Sequence, residues 1–141
     1  MRGLRGVSEI EIYARFCETD AAGHINNTSY FIYMEEARSK FFQGIGFTGE
    51  ETRGNIDFII ASTSCDFIAQ AFAGQTLRVK TIVDRIGSKS FALMHTITDG
   101  NSGASLAKGQ ATIVCFDYLA QQTEMIPPTL RELLEKQRVP A

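Results

Sequence analysis

The chain has 141 residues, of which 44% are hydrophobic and 21% charged, and its formal net charge is −2. This length suits one domain spanning residues 1–141, and the composition is that of a soluble globular protein. The near-neutral charge argues against nucleic acid or an anionic membrane as a partner. No apolar run approaches the roughly 20 residues of a membrane span, and the N-terminus has no signal-peptide pattern, so we expect a cytoplasmic protein.

The three cysteines, Cys17, Cys65 and Cys115, are far apart and form no Cys-x-x-Cys pair. This spacing argues against a disulfide framework and against a zinc site. It predicts thiols buried as small hydrophobic groups in a reducing compartment.

The first predicted element is a strand near residues 9–16. Ile10, Ile12, Ala14 and Phe16 alternate with polar residues, which is the pattern of a strand with one buried face. A polar stretch follows at residues 18–27 and shows neither strand nor helix periodicity.

A long helix is predicted after this stretch, because Tyr30, Met34, Ala37 and Phe41 recur at helical spacing. Its first two turns are apolar on nearly all sides, which indicates a helix surrounded by other elements. The candidate N-cap residues are Asn26, Asn27 and Thr28, and the candidate stop is Gly44.

Further strands are predicted near residues 58–68, 77–84, 91–97 and 104–116, with turn signals between them. Near the C-terminus, two prolines precede Thr129 and Glu132, which have the capping-box spacing of a short helix. The order predicts an α+β fold, an antiparallel sheet of about five strands with one long helix and a short C-terminal helix. Open strand edges predict pairing with further copies, as a homodimer or homotetramer.

The stretch before the long helix contains a motif that resembles the signature of the hot-dog-fold thioesterases, in the group of 4-hydroxybenzoyl-CoA and acyl-CoA thioesterases. The resemblance extends over roughly residues 9–128, and its motif reads Asp20-x-x-Gly23-His24-Ile25-Asn26-Asn27-x-x-Tyr30, followed by Glu35-x-x-Arg38. It implies a sheet wrapped around a central helix, and hydrolysis of an acyl-CoA to a free acid and CoA. It implies no metal and no other cofactor.

Thioester hydrolysis places negative charge on the carbonyl oxygen, so it needs fixed donors there and a nucleophile or base nearby. The first N–H groups of a helix have no intrahelical partners and lie at the positive end of its dipole. The resemblance assigns the donor to the backbone N–H of Asn27, and the nucleophile or general base to Asp20. Without it, Asp20 reads equally well as the carboxylate of an Asx turn.

Two other motif residues are further catalytic candidates. Glu35 lies about two helical turns after Asn27, at a position where a second branch of hot-dog thioesterases has its catalytic carboxylate. We favour the interpretation that Glu35 is a residue of the polar helix face or an ion-pair partner of Arg38, and not a catalytic group. His24 is expected to orient the loop or touch substrate, rather than to form a catalytic pair with Cys17.

The resemblance also implies substrate contacts at Gly23, at the turn Gly87-Ser88-Lys89-Ser90, and at Phe58, Ile59 and Ile60. The turn supplies backbone donors, hydroxyls and a cation for the phosphates of CoA, although a plain polar β-turn would look the same. The three apolar residues match an acyl-pocket wall and are equally consistent with an ordinary core strand.

Other functions remain open on the sequence alone. An acyl-carrier-protein thioesterase shares the stretch His24-Ile25-Asn26-Asn27 and would need a basic patch to bind its acidic carrier. A non-catalytic acyl-CoA-binding protein is disfavoured by the presence of Asp20. The motif of the hot-dog dehydratases is not matched.

Overall fold

The computed structural model describes residues 8–47 and 56–138. Its elements in chain order are β1 (Ser8–Tyr13), α1 (Asn27–Ile45), β2 (Ile56–Phe67), β3 (Thr76–Ile86), β4 (Ser90–Asp99), β5 (Ser105–Asp117), β6 (Gln122–Thr123) and α2 (Pro128–Lys136). One 3-10 turn, Phe16–Glu18, lies between β1 and α1. In the part of the chain that the structure describes, no helix is both long enough and apolar enough to cross a membrane.

The strands form one antiparallel sheet in the order β1-β3-β4-β5-β2, with the short β6 beside β5. This confirms the predicted α+β arrangement. Tight turns make β3, β4 and β5 neighbours, but β2 pairs with β5 and not with β3, which follows it in sequence. The chain leaves the sheet after β2, and Ala71 accepts a hydrogen bond from the Ile25 N–H at 2.8 Å. This hydrogen bond holds the segment between β2 and β3 against the loop that precedes α1.

Helix α1 packs on one face of the sheet and buries the apolar residues from which it is predicted. Tyr30, Met34, Ala37 and Phe41 are each exposed by 3% or less. The N-cap is Asn26, whose side chain accepts a hydrogen bond from the Thr28 N–H. The predicted stop at Gly44 is wrong, because Gly44 is still helical and Gly46 adopts the left-handed conformation, φ 83°, that ends the helix.

The core consists of two apolar clusters along α1. The first half of the helix packs with β1, the start of β3 and the end of β4. The second half packs with the start of β4, the second half of β5 and helix α2. The loop between β1 and α1 therefore lies at one end of the sheet, where α1 begins.

Three local expectations are wrong. Phe16 is 83% exposed, because β1 ends at Tyr13 and the 3-10 turn rotates the following side chains outward. Cys17 is exposed and Cys65 half-buried, so only Cys115 has the predicted burial. The capping box does not form, since α2 begins at Pro128 and Thr129 already lies in its first turn.

Candidate active site

The loop before α1 folds back on itself like a small hairpin. Thr19 and Ile25 form an antiparallel bridge, and the Asp20 N–H donates to the His24 carbonyl at 2.8 Å. Gly23 is at the tip with φ 87°, a backbone conformation that glycine adopts at little cost. The structure thus gives Gly23 a conformational role, and its contact with substrate stays a prediction.

Asp20 lies at the start of this turn and is exposed. Its Oδ1 accepts hydrogen bonds from the backbone N–H groups of Ala22, at 2.9 Å, and His24, at 3.1 Å. This is the Asx turn that the sequence left open. Its other oxygen, Oδ2, accepts no hydrogen bond from the described residues, so one face of the carboxylate is available for chemistry.

The N-terminus of α1 supplies a free donor close to this loop. The Asn26 side chain and carbonyl satisfy the N–H groups of Thr28, at 3.1 Å, and Ser29, at 2.9 Å. The N–H of Asn27, the first helical residue, has no hydrogen-bond partner among the residues described. It is therefore a donor at the positive end of the helix.

Asp20, His24 and Asn27 open onto one cleft of about 240 Å³. The rest of its wall is formed by Ile25, Tyr30, Phe67, Ala69 and Gln70. The sequence did not indicate Phe67, Ala69 or Gln70. They reach the cleft only because Ala71 pairs with Ile25 across a long sequence separation, and no local pattern encodes such a contact.

His24 forms part of the cleft wall, and its ring also packs against Phe72. Its backbone bridges Phe72, and the two rings are 5.1 Å apart. Cys17 does not line the cleft, which agrees with the preference against a His–Cys pair. Within residues 8–47 and 56–138, no three His, Cys, Asp or Glu side chains are grouped so that they could hold a metal ion.

Glu35 is exposed on α1 and is not part of the cleft wall. Burial lowers the pKa of Arg38, and the negative charge of Glu35 partly opposes this shift. Arg38 follows Glu35 by about one helical turn of α1, and the role of Glu35 stays a prediction.

The turn Gly87–Ser90 lies at the other end of the molecule from the cleft. It joins the far ends of β3 and β4, whereas the cleft loop follows β1 where Tyr13 pairs with Thr76. The length of β3 separates the two places by roughly 30 Å along the strand. The Lys89 carbonyl accepts from Cys115 and the Ser88 carbonyl from Ile126, so the turn is held by its backbone.

The three predicted acyl-wall residues also lie away from the cleft of their own chain. Phe58 stacks on Phe42 with ring centroids 4.6 Å apart and belongs to the second core cluster. Ile59 and Ile60 are 36% and 42% exposed on β2, at the edge of the sheet.

A family model described as the thioesterase-like superfamily matches residues 14–134. The chain belongs to this superfamily. It is 27% identical to the long-chain acyl-CoA thioesterase FadM of Escherichia coli, over 91% of this chain and 97% of FadM. It is 33% identical to the acyl-CoA thioesterase YbgC of Helicobacter pylori, over 83% of this chain and 92% of YbgC.

Among solved structures, that of a predicted thioesterase from Bacillus stearothermophilus superposes with a TM-score of 0.82 and 28% identity. The superposition covers 94% of this chain and 97% of that one. The hot-dog fold and the thioesterase family that the motif indicated are therefore confirmed.

Proposed function

We propose that this chain hydrolyses acyl-CoA thioesters, with Asp20 and the N-terminus of α1 as its catalytic groups. The observation that supports this most is that one free carboxylate oxygen and one free helix N–H belong to residues of the same cleft. Thioester hydrolysis needs these two functions together.

In this proposal, the thioester carbonyl oxygen accepts a hydrogen bond from the Asn27 N–H. Asp20 then acts in one of two ways. As nucleophile, its Oδ2 attacks the carbonyl carbon, CoA leaves as the thiolate, and water hydrolyses the resulting anhydride. As general base, it takes a proton from a water molecule that attacks the same carbon. Both routes give a free acid and CoA and require no cofactor.

The choice of CoA over an acyl-carrier protein rests on the relatives. FadM and YbgC are both acyl-CoA thioesterases, and together they match most of this chain. Among the described residues that form the cleft wall, none is a lysine or arginine that would attract an acidic carrier protein.

We further propose a homodimer that pairs through β2. This strand is a sheet edge, and residues 58–65 contain no charged side chain. The opposite edge, β1, presents Glu9 and Glu11, and charged edges resist pairing. Two copies of β2 would pair antiparallel about a two-fold axis.

Such pairing would complete the cleft. Antiparallel β2 strands place the first half of one copy, with Ile59 and Ile60, beside the second half of the other, where Phe67 lines the cleft. Ile59 and Ile60 could then form part of the acyl-pocket wall of the other copy, although they lie away from the cleft of their own chain. The pairing also offers a way for the Gly87–Ser90 turn of one copy to serve the cleft of another.

A reducing compartment fits the three cysteines, all of which are free. Burial raises the pKa of both Cys65 and Cys115 to about 11, which makes these thiols unreactive. We therefore propose the cytoplasm as the site of action.

The direct test is release of free thiol from a panel of acyl-CoAs of different chain length and aromatic character. Hydrolysis of at least one member, at a rate that depends on enzyme concentration, supports the proposal. Hydrolysis of acyl-carrier-protein substrates alone would support the alternative enzyme, and tight binding of acyl-CoA without turnover would support a binding protein.

A further inference from the structure

Glu18 lies two residues before Asp20 and joins the catalytic loop to helix α1. Its backbone carbonyl accepts two hydrogen bonds, from the Asn26 N–H and from the Ser29 hydroxyl, each at 2.9 Å. Both donors belong to the first turn of α1 or its cap. The base of the Asp20 loop is thereby held against the residues that present the free Asn27 N–H.

The Glu18 side chain makes a second attachment to the same helix. Its Oε1 accepts from the Tyr33 hydroxyl at 2.8 Å and from the Arg15 N–H at 2.9 Å. Ser29 and Tyr33 are four residues apart and so lie on one face of α1. Two attachments on one face restrict both the distance of the helix from the loop and its rotation about its own axis.

The guanidinium of Arg15 occupies the other carboxylate oxygen. Its Nε and one terminal nitrogen donate to Oε2 at 3.0 Å and 2.8 Å. Burial alone would raise the pKa of Glu18, but the hydrogen bonds from Arg15 and Tyr33 hold it below its ordinary value. Glu18 is therefore ionised at neutral pH.

A carboxylate has about four lone-pair sites, and those of Glu18 all have donors. Glu18 thus has no free oxygen for substrate or water, whereas Asp20 has one. Glu18 also does not line the cleft. Glu18 therefore does not contact substrate directly, and its contacts are with groups that fix the loop and the helix.

We propose that Glu18 is a positioning residue that holds the Asp20 carboxylate and the Asn27 N–H at the separation needed for hydrolysis. The inference rests on the proposed function of the cleft. Displacement of a reacting group by about 1 Å can reduce a rate on the order of 100-fold, so small movements of this loop matter.

The test compares Glu18→Gln with the matched control Glu9→Gln. Both changes remove a carboxylate that is paired with an arginine, but Glu9 pairs with Arg78 on the exposed face of the sheet, away from the loop. In Glu18→Gln, the new NH₂ group faces donors of Arg15 in either amide orientation, so at least one hydrogen bond that holds the Glu18 side chain is lost. We expect kcat to fall on the order of 10- to 100-fold, with KM for acyl-CoA changed less than about twofold.

Two further measurements separate positioning from general stability. The Asn26 amide should exchange its hydrogen faster in Glu18→Gln than in the wild type, while helix content by circular dichroism stays unchanged. Tyr33→Phe removes the hydroxyl that donates to Glu18 Oε1, so it should lower kcat as well. Its effect and that of Glu18→Gln should be less than additive, because both act through the attachment of the Glu18 side chain.

An unchanged kcat in Glu18→Gln, with a working wild-type enzyme, would overturn the positioning role and leave the thioesterase proposal intact. An equal loss in Glu9→Gln, or a KM that rises as far as kcat falls, would also overturn it. A wild type that hydrolyses no acyl-CoA would refute the proposed function itself, and unaltered exchange at Asn26 would refute the attachment independently of any activity.

Discussion

His95 lies on β4, with none of its side chain exposed. Its Nδ1 is 2.9 Å from the Thr81 hydroxyl, and its Nε2 has no hydrogen-bond partner in the described part of the chain. Burial, followed by the positive charge of Arg38, lowers the pKa of His95 from 6.5 to about 4. The folded protein therefore keeps this ring neutral under conditions in which the unfolded chain protonates it.

This difference predicts a pH dependence of stability. Above pH 6.5 the ring is neutral in both states, and its titration contributes nothing. Between pH 6.5 and about 4, only the unfolded chain binds the proton. The free energy of unfolding should then fall by up to about 1.4 kcal/mol per pH unit from this group.

Urea denaturation at several pH values, compared between the wild type and His95→Gln, isolates that contribution. The variant should be less stable at pH 7, because a buried side chain is replaced, yet lose less stability on acidification. Parallel losses in the two proteins would mean that His95 is not the group responsible.

At the scale of the element, the start of α1 carries both the N-cap that the sequence predicts and a residue of the cleft, Asn27. Asn26 has φ −64° and ψ 140°, the extended conformation favoured before proline, and Asn27 is the first helical residue, where proline is well tolerated. Asn27→Pro should therefore fold while lacking the proposed oxyanion donor. Asn27→Ala keeps that N–H.

We expect Asn27→Pro to lower kcat on the order of 100- to 1,000-fold, the usual effect of removing one oxyanion donor. Asn27→Ala should retain most of the activity, because the exposed Asn27 side chain makes no hydrogen bond within the described residues. Thiol release and thermal unfolding of both variants provide the measurement. Equal activity of the two proteins would remove the Asn27 N–H from the mechanism.

The same element illustrates what the sequence can predict. The apolar stripe and the asparagine cap were enough to place the start of α1, because both signals are local. The turn at Asp20 was also predictable. The pairing of β2 with β5, and the entry of Gln70 into the cleft, were not, since both depend on contacts between distant segments.

At the scale of the whole molecule, the proposed dimer predicts sensitivity at the centre of β2. Ser62 is exposed, so lysine there should not disturb the single subunit, but two such lysines would face each other near the two-fold axis. We expect Ser62→Lys to shift the mass in sedimentation from dimer towards monomer. Tyr13→Lys, on the opposite edge strand, should leave the mass unchanged. Equal masses for the wild type, Ser62→Lys and Tyr13→Lys would contradict pairing through β2.

A mixed oligomer tests whether the cleft takes a turn from its partner. Asp20→Asn and Lys89→Ala subunits, each impaired alone at low substrate concentration, should regain activity when mixed and refolded together. Only an exchange between subunits creates a site with both Asp20 and Lys89 intact. No recovery of activity in verified mixed dimers would contradict the idea that Lys89 of one subunit serves the cleft of the other.

The central claim is that Asp20, and not Glu35, supplies the reactive carboxylate. The most direct measurement is kcat for acyl-CoA hydrolysis by Asp20→Asn and Glu35→Gln, with circular dichroism confirming that both remain folded. Asp20→Asn keeps the shape of the side chain but removes its basicity and nucleophilicity, so kcat should fall by about 100-fold or more. Glu35→Gln should cost far less, because Glu35 is outside the cleft wall. An inactive Glu35→Gln beside a nearly normal Asp20→Asn would contradict this account.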